Sequence, residues 1–350
     1  METIIRKIDF ETEYDEILSE AAGIIRKGGL VAFPTETVYG LGADGLNGEA
    51  CKNIYLAKGR PSDNPLILHI SDFEQLEMIV REIPDKAKVL MENFWPGPLT
   101  IVFKKLPCVP DSVTGGLDTV AVRFPSNILA NRLIAAAGTP VAAPSANSSG
   151  KPSPTRASHV EADLNGKIDM LIDGGSCDVG VESTIVDITG DTPCLLRPGG
   201  ITVEMLEKAI GKIDIDSAVL KSLGADERPK APGMKYKHYS PNADVVLVKG
   251  EKTAVVEKIN SFIAENKLNG LIPGVMAADD TAMLYNTEHV LSLGKREDLK
   301  EIASNLFDAL RSFDDKHVDV VYSEVFETSG EGLAVMNRLN KAAGFRYIDA

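Results

Sequence analysis

Cysteine is scarce in this chain, four in 350 residues, and Cys51, Cys108, Cys177 and Cys194 stand far apart with no CxxC pair. Neither a zinc site nor a disulfide framework is expected, and the four read as reduced, mostly buried thiols. No stretch approaches the roughly 18 consecutive apolar residues of a membrane span, and the opening Met1-Glu-Thr-Ile-Ile-Arg-Lys7 lacks the basic-then-apolar order of a secretion signal. No membrane partner is expected, and the expected compartment is the cytoplasm. Positive charge is also short: 37 Lys+Arg against 51 Asp+Glu leave −14, an excess spread over both halves. That balance excludes a uniformly basic, nucleic-acid-holding surface and leaves only a local basic groove open. A GxxxxGK[ST] motif is missing, so any nucleotide is not held by a P-loop. His69, His159, His238, His289 and His317 are scattered, with no Ser-His-Asp order and no metal-ligand cluster, so no protein-held metal is expected.

What remains is globular in composition, 44% hydrophobic and 25% charged, and long enough for two domains. In the first block an amphipathic helix is predicted over 13–27, stopping at Gly28-Gly29. Short apolar runs follow at 30–33, 66–70, 99–103, 119–124, 140–143, 170–172, 184–188 and 194–196, with helices predicted over 49–58, 84–94 and 128–137. Strands outnumber helices, which predicts an open twisted mixed sheet with helices on it rather than strict βαβ alternation. From Ala218 to Asn242, Lys221, Arg228, Lys230, Lys235 and Lys237 outnumber the acids, while Pro229, Pro232, Gly233 and Pro241 interrupt regular structure, the signature of a basic linker. Beyond it, strands at 243–249, 270–275 and 318–322 alternate with helices at 252–266, 295–313 and 332–343, which predicts a smaller parallel, Rossmann-like α/β domain.

Gly40-Leu-Gly-Ala-Asp-Gly45 matches GxGxxG, but Thr35 to Tyr39 separate it from the preceding strand and Asn47-Gly48 from the next helix. A glycine-rich turn is the expectation there, not a dinucleotide site. Polar segments at strand ends carry more chemistry. Lys58-Gly-Arg-Pro-Ser-Asp-Asn-Pro65 presents two cations on a stiff loop, which suits a polyphosphate or is a solvated turn. His69 lies inside an apolar strand, where a satisfied half-buried histidine and a functional one are both open. Arg123 and Arg197 close apolar strands and need an anionic partner or a route to water. The loop 142–155 strings Ser145, Asn147 and Ser153 among prolines, either as ligand donors or as a plain linker. Ser183-Thr184 precedes a strand and reads equally as a strand entrance. Cations and hydroxyls around strand ends describe a site that positions and neutralises anions, without a side-chain nucleophile.

Five segments in order, Gly29-Leu-Val-Ala-Phe-Pro-Thr-Glu-Thr-Val-Tyr-Gly-Leu41, Lys58-Gly-Arg-Pro-Ser-Asp-Asn-Pro-Leu66, Trp95-Pro-Gly-Pro-Leu-Thr100, Val122-Arg-Phe-Pro125 and Pro144-Ser-Ala-Asn-Ser-Ser-Gly150, resemble the YrdC-like threonylcarbamoyl-AMP synthases. The segment Ala231-Pro-Gly-Met-Lys-Tyr-Lys-His-Tyr-Ser-Pro241 and the tail resemble the long form of that family, which carries an extra C-terminal domain. No zinc-finger or acylphosphatase segment is present, unlike the hydrogenase-maturation carbamoyltransferases that share the domain. The resemblance implies a YrdC-like catalytic domain over 1–215, a linker or lid over 216–242 and a C-terminal α/β domain over 243–350. It implies a nucleotidyltransferase that condenses L-threonine, bicarbonate or CO₂, and ATP to threonylcarbamoyl-AMP and pyrophosphate, with Mg²⁺ on the ATP. The product serves modification of position 37 in tRNAs reading ANN codons, with a downstream threonylcarbamoyl transferase as partner and tRNA itself as a further candidate. It places Thr37, His69, Arg123 and Ser183 at threonine, and Lys58, Arg60, Asn64, Thr119, Ala143, Ser145, Asn147, Ser153, Arg197 and Tyr236 at ATP, with Lys58 and Arg60 as the catalytic cations. The alternative is a non-catalytic RNA-binding module whose basic concavity is lined by the same cations.

Overall fold

The structure, a computed structural model, describes residues 2–10, 14–221, 229–232 and 239–350. The chain divides into two compact units, Met1–Ser149 with Ser153–Lys235, and Gly150–Pro152 with Tyr236–Ala350.

In the first unit the described strands are β1 (Ile4–Lys7), β2 (Val31–Phe33), β3 (Gly40–Asp44), β4 (Ile67–His69), β5 (Leu99–Lys104), β6 (Thr119–Arg123), β7 (Val141–Ala142), β8 (Met170–Asp173), β9 (Thr184–Asp187), β10 (Cys194–Arg197) and β11 (Asp214–Ile215). They form one sheet in the order β1-β8-β2-β3-β7-β4-β6-β5-β9-β10-β11. The pairing is mixed: β4 and β6 run parallel, while β7 against β4 and β5 against β6 are antiparallel. This is the mixed sheet that the runs of Val, Ile and Leu predict. Helix Asp15–Arg26 turns Leu18, Ala21, Ala22 and Ile25 onto the sheet, where they meet Leu129, Ala130, Leu133 and Ile134 of helix Ile128–Ala137 and Val31, Phe33 and Ile172 of the strands. The second helix starts at Asn127, whose side chain accepts from the N–H groups of Leu129 and Ala130, and stops at Gly138 in the left-handed region.

One expectation is corrected. Most of the GxGxxG segment is strand rather than turn: Gly40 to Asp44 form β3, antiparallel to β2 and β7, and only Gly45 falls in the turn that follows. Its glycines are there for packing. A Cβ on Gly42 would lie 2.7 Å from the Phe33 ring and 2.9 Å from Val141, and one on Gly45 would lie 2.6 Å from the Pro140 carbonyl. The apolar residues of the stretch 216–232 also do more than connect: Ala218 and Ala231 are buried in a cluster with Ile67, Val102, Ala121, Ile185 and Leu196.

The second unit has five described strands, β12 (Asp244–Lys249), β13 (Pro273–Ala277), β14 (Val290–Ser292), β15 (Val320–Glu324) and β16 (Tyr347–Asp349), all parallel, in the order β14-β13-β15-β12-β16. Helices Lys252–Leu268, Leu299–Asp315 and Gly332–Ala342 alternate with them, the predicted small parallel α/β fold. The strands β14 and β16 are three residues each at the sheet edges, too short for an apolar pattern to show in the sequence.

Candidate active site

Three strand ends and two loops of the first unit carry the buried charge. The loop between β2 and β3 is closed on itself by Thr35, whose Oγ1 donates to the Val38 carbonyl (2.7 Å) and accepts from the N–H of Thr37 (3.2 Å). This turn fixes Glu36 and Thr37, both buried, beside the end of β6. There Arg123 donates from Nη1 to Thr37 Oγ1 (2.9 Å) and from Nε to the Gly97 carbonyl (3.4 Å), and its Nη2 stands 2.7 Å from Glu36 Oε1. Burial alone raises the Glu36 pKa, but the charge of Arg123 and its close contact outweigh it and hold the carboxyl below its ordinary value. In the parallel pair β4/β6, His69 is the register partner of Arg123. Burial first, and the Arg123 charge second, push the imidazole down to about 3, so it is neutral at pH 7. Its Nδ1 is buried with no hydrogen-bond partner among the described residues.

Across β5, Thr100 sits opposite Arg123 and its hydroxyl meets that of Ser183 at 2.8 Å. Ser183 in turn is gripped by Arg197, which donates from Nη2 to Ser183 Oγ (3.1 Å), from Nε to the Ser183 carbonyl (3.0 Å) and from Nη1 to the Pro232 carbonyl (3.4 Å). The register of β10 shifts between Leu195 and Arg197, a local irregularity of the kind that re-aims a side chain. Gly199 lets this corner close, since a Cβ there would lie 2.5 Å from the Glu182 carbonyl. One residue before Ser183, Glu182 accepts from Ser153 Oγ at 2.5 Å.

The helix Gly48–Lys58 supplies the lysine. Gly59 ends it in the left-handed conformation, φ 61°, which turns the chain so that Lys58 faces inward while Arg60 follows on the loop. Lys58 Nζ donates to the carbonyls of Ser145 and of Asn147 (2.5 Å) and to Asn147 Oδ1 (3.2 Å), and Ser145 Oγ donates to the same Oδ1 at 2.6 Å. Arg60 Nη2 donates to the carbonyls of Asn64 and Pro65, both 3.2 Å, so the arginine also stiffens its own loop. The Asn64 side-chain amide is 1% exposed, yet neither its oxygen nor its nitrogen has a hydrogen-bond partner among the described residues. Backbone links join the two groups: Ser145 bridges Gly40, Tyr39 N donates to the Pro154 carbonyl, and Gly180 N donates to the Thr37 carbonyl.

The structure therefore brings together Thr37, His69, Arg123, Ser183 and Arg197 in one cluster, and Lys58, Ser145 and Asn147 in a second, with Ser153 tied to Glu182. Ala143 lies on the strand side of the second cluster, its N–H donating to the Ile67 carbonyl (2.9 Å). Thr119 stands at the opposite end of β6 from Arg123, about 13 Å away by strand rise. Tyr236 lies outside the described residues. Glu36, Thr100 and Glu182 were not singled out in the sequence. Glu36 and Glu182 are each next to a singled-out residue, but only the fold shows that their partners are Arg123 and Ser153.

Cys177 is buried near Glu36, and burial pushes its thiol up to about 12, so no thiolate is available at neutral pH. Among the described residues no group of three or more His, Cys, Asp or Glu is placed to hold a metal ion.

A mixed α/β sheet that gathers buried guanidinium, ammonium and hydroxyl groups at strand ends and at the end of one helix is an arrangement suited to positioning anions for group transfer. The family described as "Telomere recombination" matches residues 23–199, and the "Threonylcarbamoyl-AMP synthase, C-terminal domain" matches residues 201–344. The threonylcarbamoyl-AMP synthase of Pyrococcus abyssi is 54% identical over 329 residues, 94% of each chain, and that of Bacillus subtilis 50% identical over 338 residues, 95% of each. The crystal structure of P. abyssi Sua5 complexed with L-threonine superposes with a TM-score of 0.93 at 52% identity, covering 99% of this chain and all of that one (100%). The chain belongs to the threonylcarbamoyl-AMP synthase family and is an enzyme of nucleotidyltransferase type.

Proposed function

We propose that the two clusters are the two halves of one site, in which L-threonine occupies Thr37, His69, Arg123 and Ser183 while ATP occupies Lys58, Arg60, Asn64, Thr119, Ala143, Ser145, Asn147, Ser153 and Arg197. The observation that carries this reading is that the Asn64 amide and His69 Nδ1, one beside each cluster, are among the buried polar groups without a hydrogen-bond partner among the described residues. Leaving such groups unsatisfied costs about 1–3 kcal/mol each, and a bound polar ligand removes that cost. The threonine amine adds to CO₂, forming an N–C bond and losing one proton, and the resulting carbamate oxygen attacks the α-phosphorus of ATP as the bond to the β-phosphate breaks. Bicarbonate enters the same step with loss of water. Lys58 and Arg60 offset the charge that develops on the departing pyrophosphate. The Mg²⁺ belongs to the nucleotide substrate, held by phosphate oxygens.

The product, a mixed anhydride, passes to a threonylcarbamoyl transferase acting on position 37 of tRNAs that read ANN codons. We place this work in the cytoplasm, and no described helix is long and apolar enough to cross a membrane. The RNA-binding alternative is weakened by burial: Lys58, Arg123 and Arg197, at 4%, 4% and 5% exposure, can serve a small ligand enclosed in the fold but do not form a surface that tracks a nucleic-acid backbone. The test is mass spectrometry for threonylcarbamoyl-adenylate in a mixture of enzyme, MgATP, bicarbonate and threonine, with pyrophosphate release followed in parallel. The expected result is that adduct, together with pyrophosphate release that requires threonine. Release independent of threonine, or none, overturns the reading.

A further inference from the structure

Arg123 is placed to receive a carboxylate, yet it faces a carboxylate of its own chain. A guanidinium has five N–H donors. In Arg123 one goes from Nε to Gly97, one from Nη1 to Thr37 and one from Nη2 toward Glu36. The terminal N–H groups of a guanidinium can also meet a carboxylate two at a time. The contact with Glu36 is close at 2.7 Å, an ion pair in which the buried Nη2 makes no aligned hydrogen bond.

Both partners are buried, Glu36 at 7% and Arg123 at 4% exposure, and Glu36 is itself held by the Thr35 turn and by its carbonyl, which accepts from Val179 N. It is a fixed anchor and not a mobile counterion. The pair is neutral overall, and the neighbouring imidazole of His69 is neutral as well. A lone buried arginine would be costly and free to turn toward any anion, ATP included. A neutral, pre-oriented pair instead suits a zwitterion, whose carboxylate meets the guanidinium and whose amine brings compensating charge.

We infer that Glu36 is a positioning residue for amino-acid recognition: its buried ion pair, with the contacts to Thr37 and Gly97, holds the Arg123 guanidinium in the orientation that meets the threonine carboxylate. This rests on the reading that Arg123 binds the threonine carboxylate, and the experiment separates the two claims. Steady-state kinetics on the full chain compare wild type, Glu36→Gln, Glu36→Asp and Arg123→Lys, with KM measured separately for threonine and ATP. Binding of threoninol, which has an alcohol in place of the carboxylate, is measured alongside.

Glu36→Gln is expected to raise KM for threonine about tenfold or more, the loss of one charge-assisted contact, with KM for ATP within about twofold. Threoninol affinity should change little, because it has no carboxylate for Arg123 to meet. Glu36→Asp should recover part of the loss. Equal losses for threonine, threoninol and ATP would mark Glu36 as merely structural and overturn the inference. An unchanged threonine KM in Glu36→Gln, with a raised one in Arg123→Lys, would overturn the inference and leave the reading standing. An unchanged threonine KM in Arg123→Lys would remove the reading itself.

Discussion

At the scale of single residues, the site is built from groups whose protonation is set by burial. His69 is the clearest case, with a pKa near 3 in the fold against an ordinary 6.5. The unfolded chain takes up a proton at His69 below pH 6.5 and the native protein does not, so stability falls as pH drops from 6.5 toward 3. The slope reaches about 1.4 kcal/mol per pH unit for one proton. Urea midpoints at pH 7 and pH 5 check this: His69→Asn should show a flatter decline than wild type across that interval. Arg60 carries the second prediction at this scale. It sits on a loop and donates to the carbonyls of Asn64 and Pro65, close to it in sequence, so Arg60→Ala should leave the thermal midpoint within a few degrees while weakening phosphate neutralisation. A loss of about 1.5–3 kcal/mol, roughly tenfold or more in kcat/KM for ATP, is expected in a pyrophosphate-release assay.

The elements place these residues through close backbone packing. Strand β3 crosses the sheet between β2 and β7, and at Gly42 within it and Gly45 just after it the neighbouring strands leave no room for a Cβ. Gly45→Ala would put a Cβ 2.5 Å from Leu68 Cδ2 and 2.6 Å from the Pro140 carbonyl, and one of those neighbours is backbone that cannot swing away. Overpacking of this kind costs about 1–3 kcal/mol, measurable as a lower denaturant midpoint with an unchanged m-value. A dinucleotide-binding loop would instead show its loss in nucleotide affinity at unchanged stability. Elsewhere the pattern of residues announces the elements well. Helix Ile128–Ala137 is bracketed by Asn127 and Gly138 as its sequence requires, and the strands of the parallel second unit follow their Val-rich runs. In β3 the signal failed, because Gly-Leu-Gly-Ala-Asp has the composition of a turn and becomes a strand only through its partners on both sides.

Over the whole molecule, charge and burial together decide what it can hold. The surface carries the acidic excess, −14 overall, while the cations Lys58, Arg123 and Arg197 are turned inside. Such a protein should pass through a heparin column at about 0.1 M salt, where a phosphate-backbone binder is retained. Retention that weakens steeply with salt would point to a basic surface not seen among the described residues.

The sequence alone determined the architecture in outline and the chemistry in kind. Short apolar runs mark which segments become strands, because residue pattern is a local property, and Arg123 and Arg197 at the ends of such runs, with Lys58 and Arg60 at a helix end, are the cations of the proposed anion site. It could not determine who faces whom. That Glu36 meets Arg123, that Thr100 and Arg197 converge on Ser183, and that Lys58 is gripped by Asn147 depend on strand order, with β6 between β4 and β5 and β9 beside β5. Strand order is set by long-range packing and register, not by any nearby residue. For the same reason the low pKa of His69 and the orphaned Asn64 amide are legible only after folding, since desolvation is produced by the surrounding chain and is written in no single stretch of it.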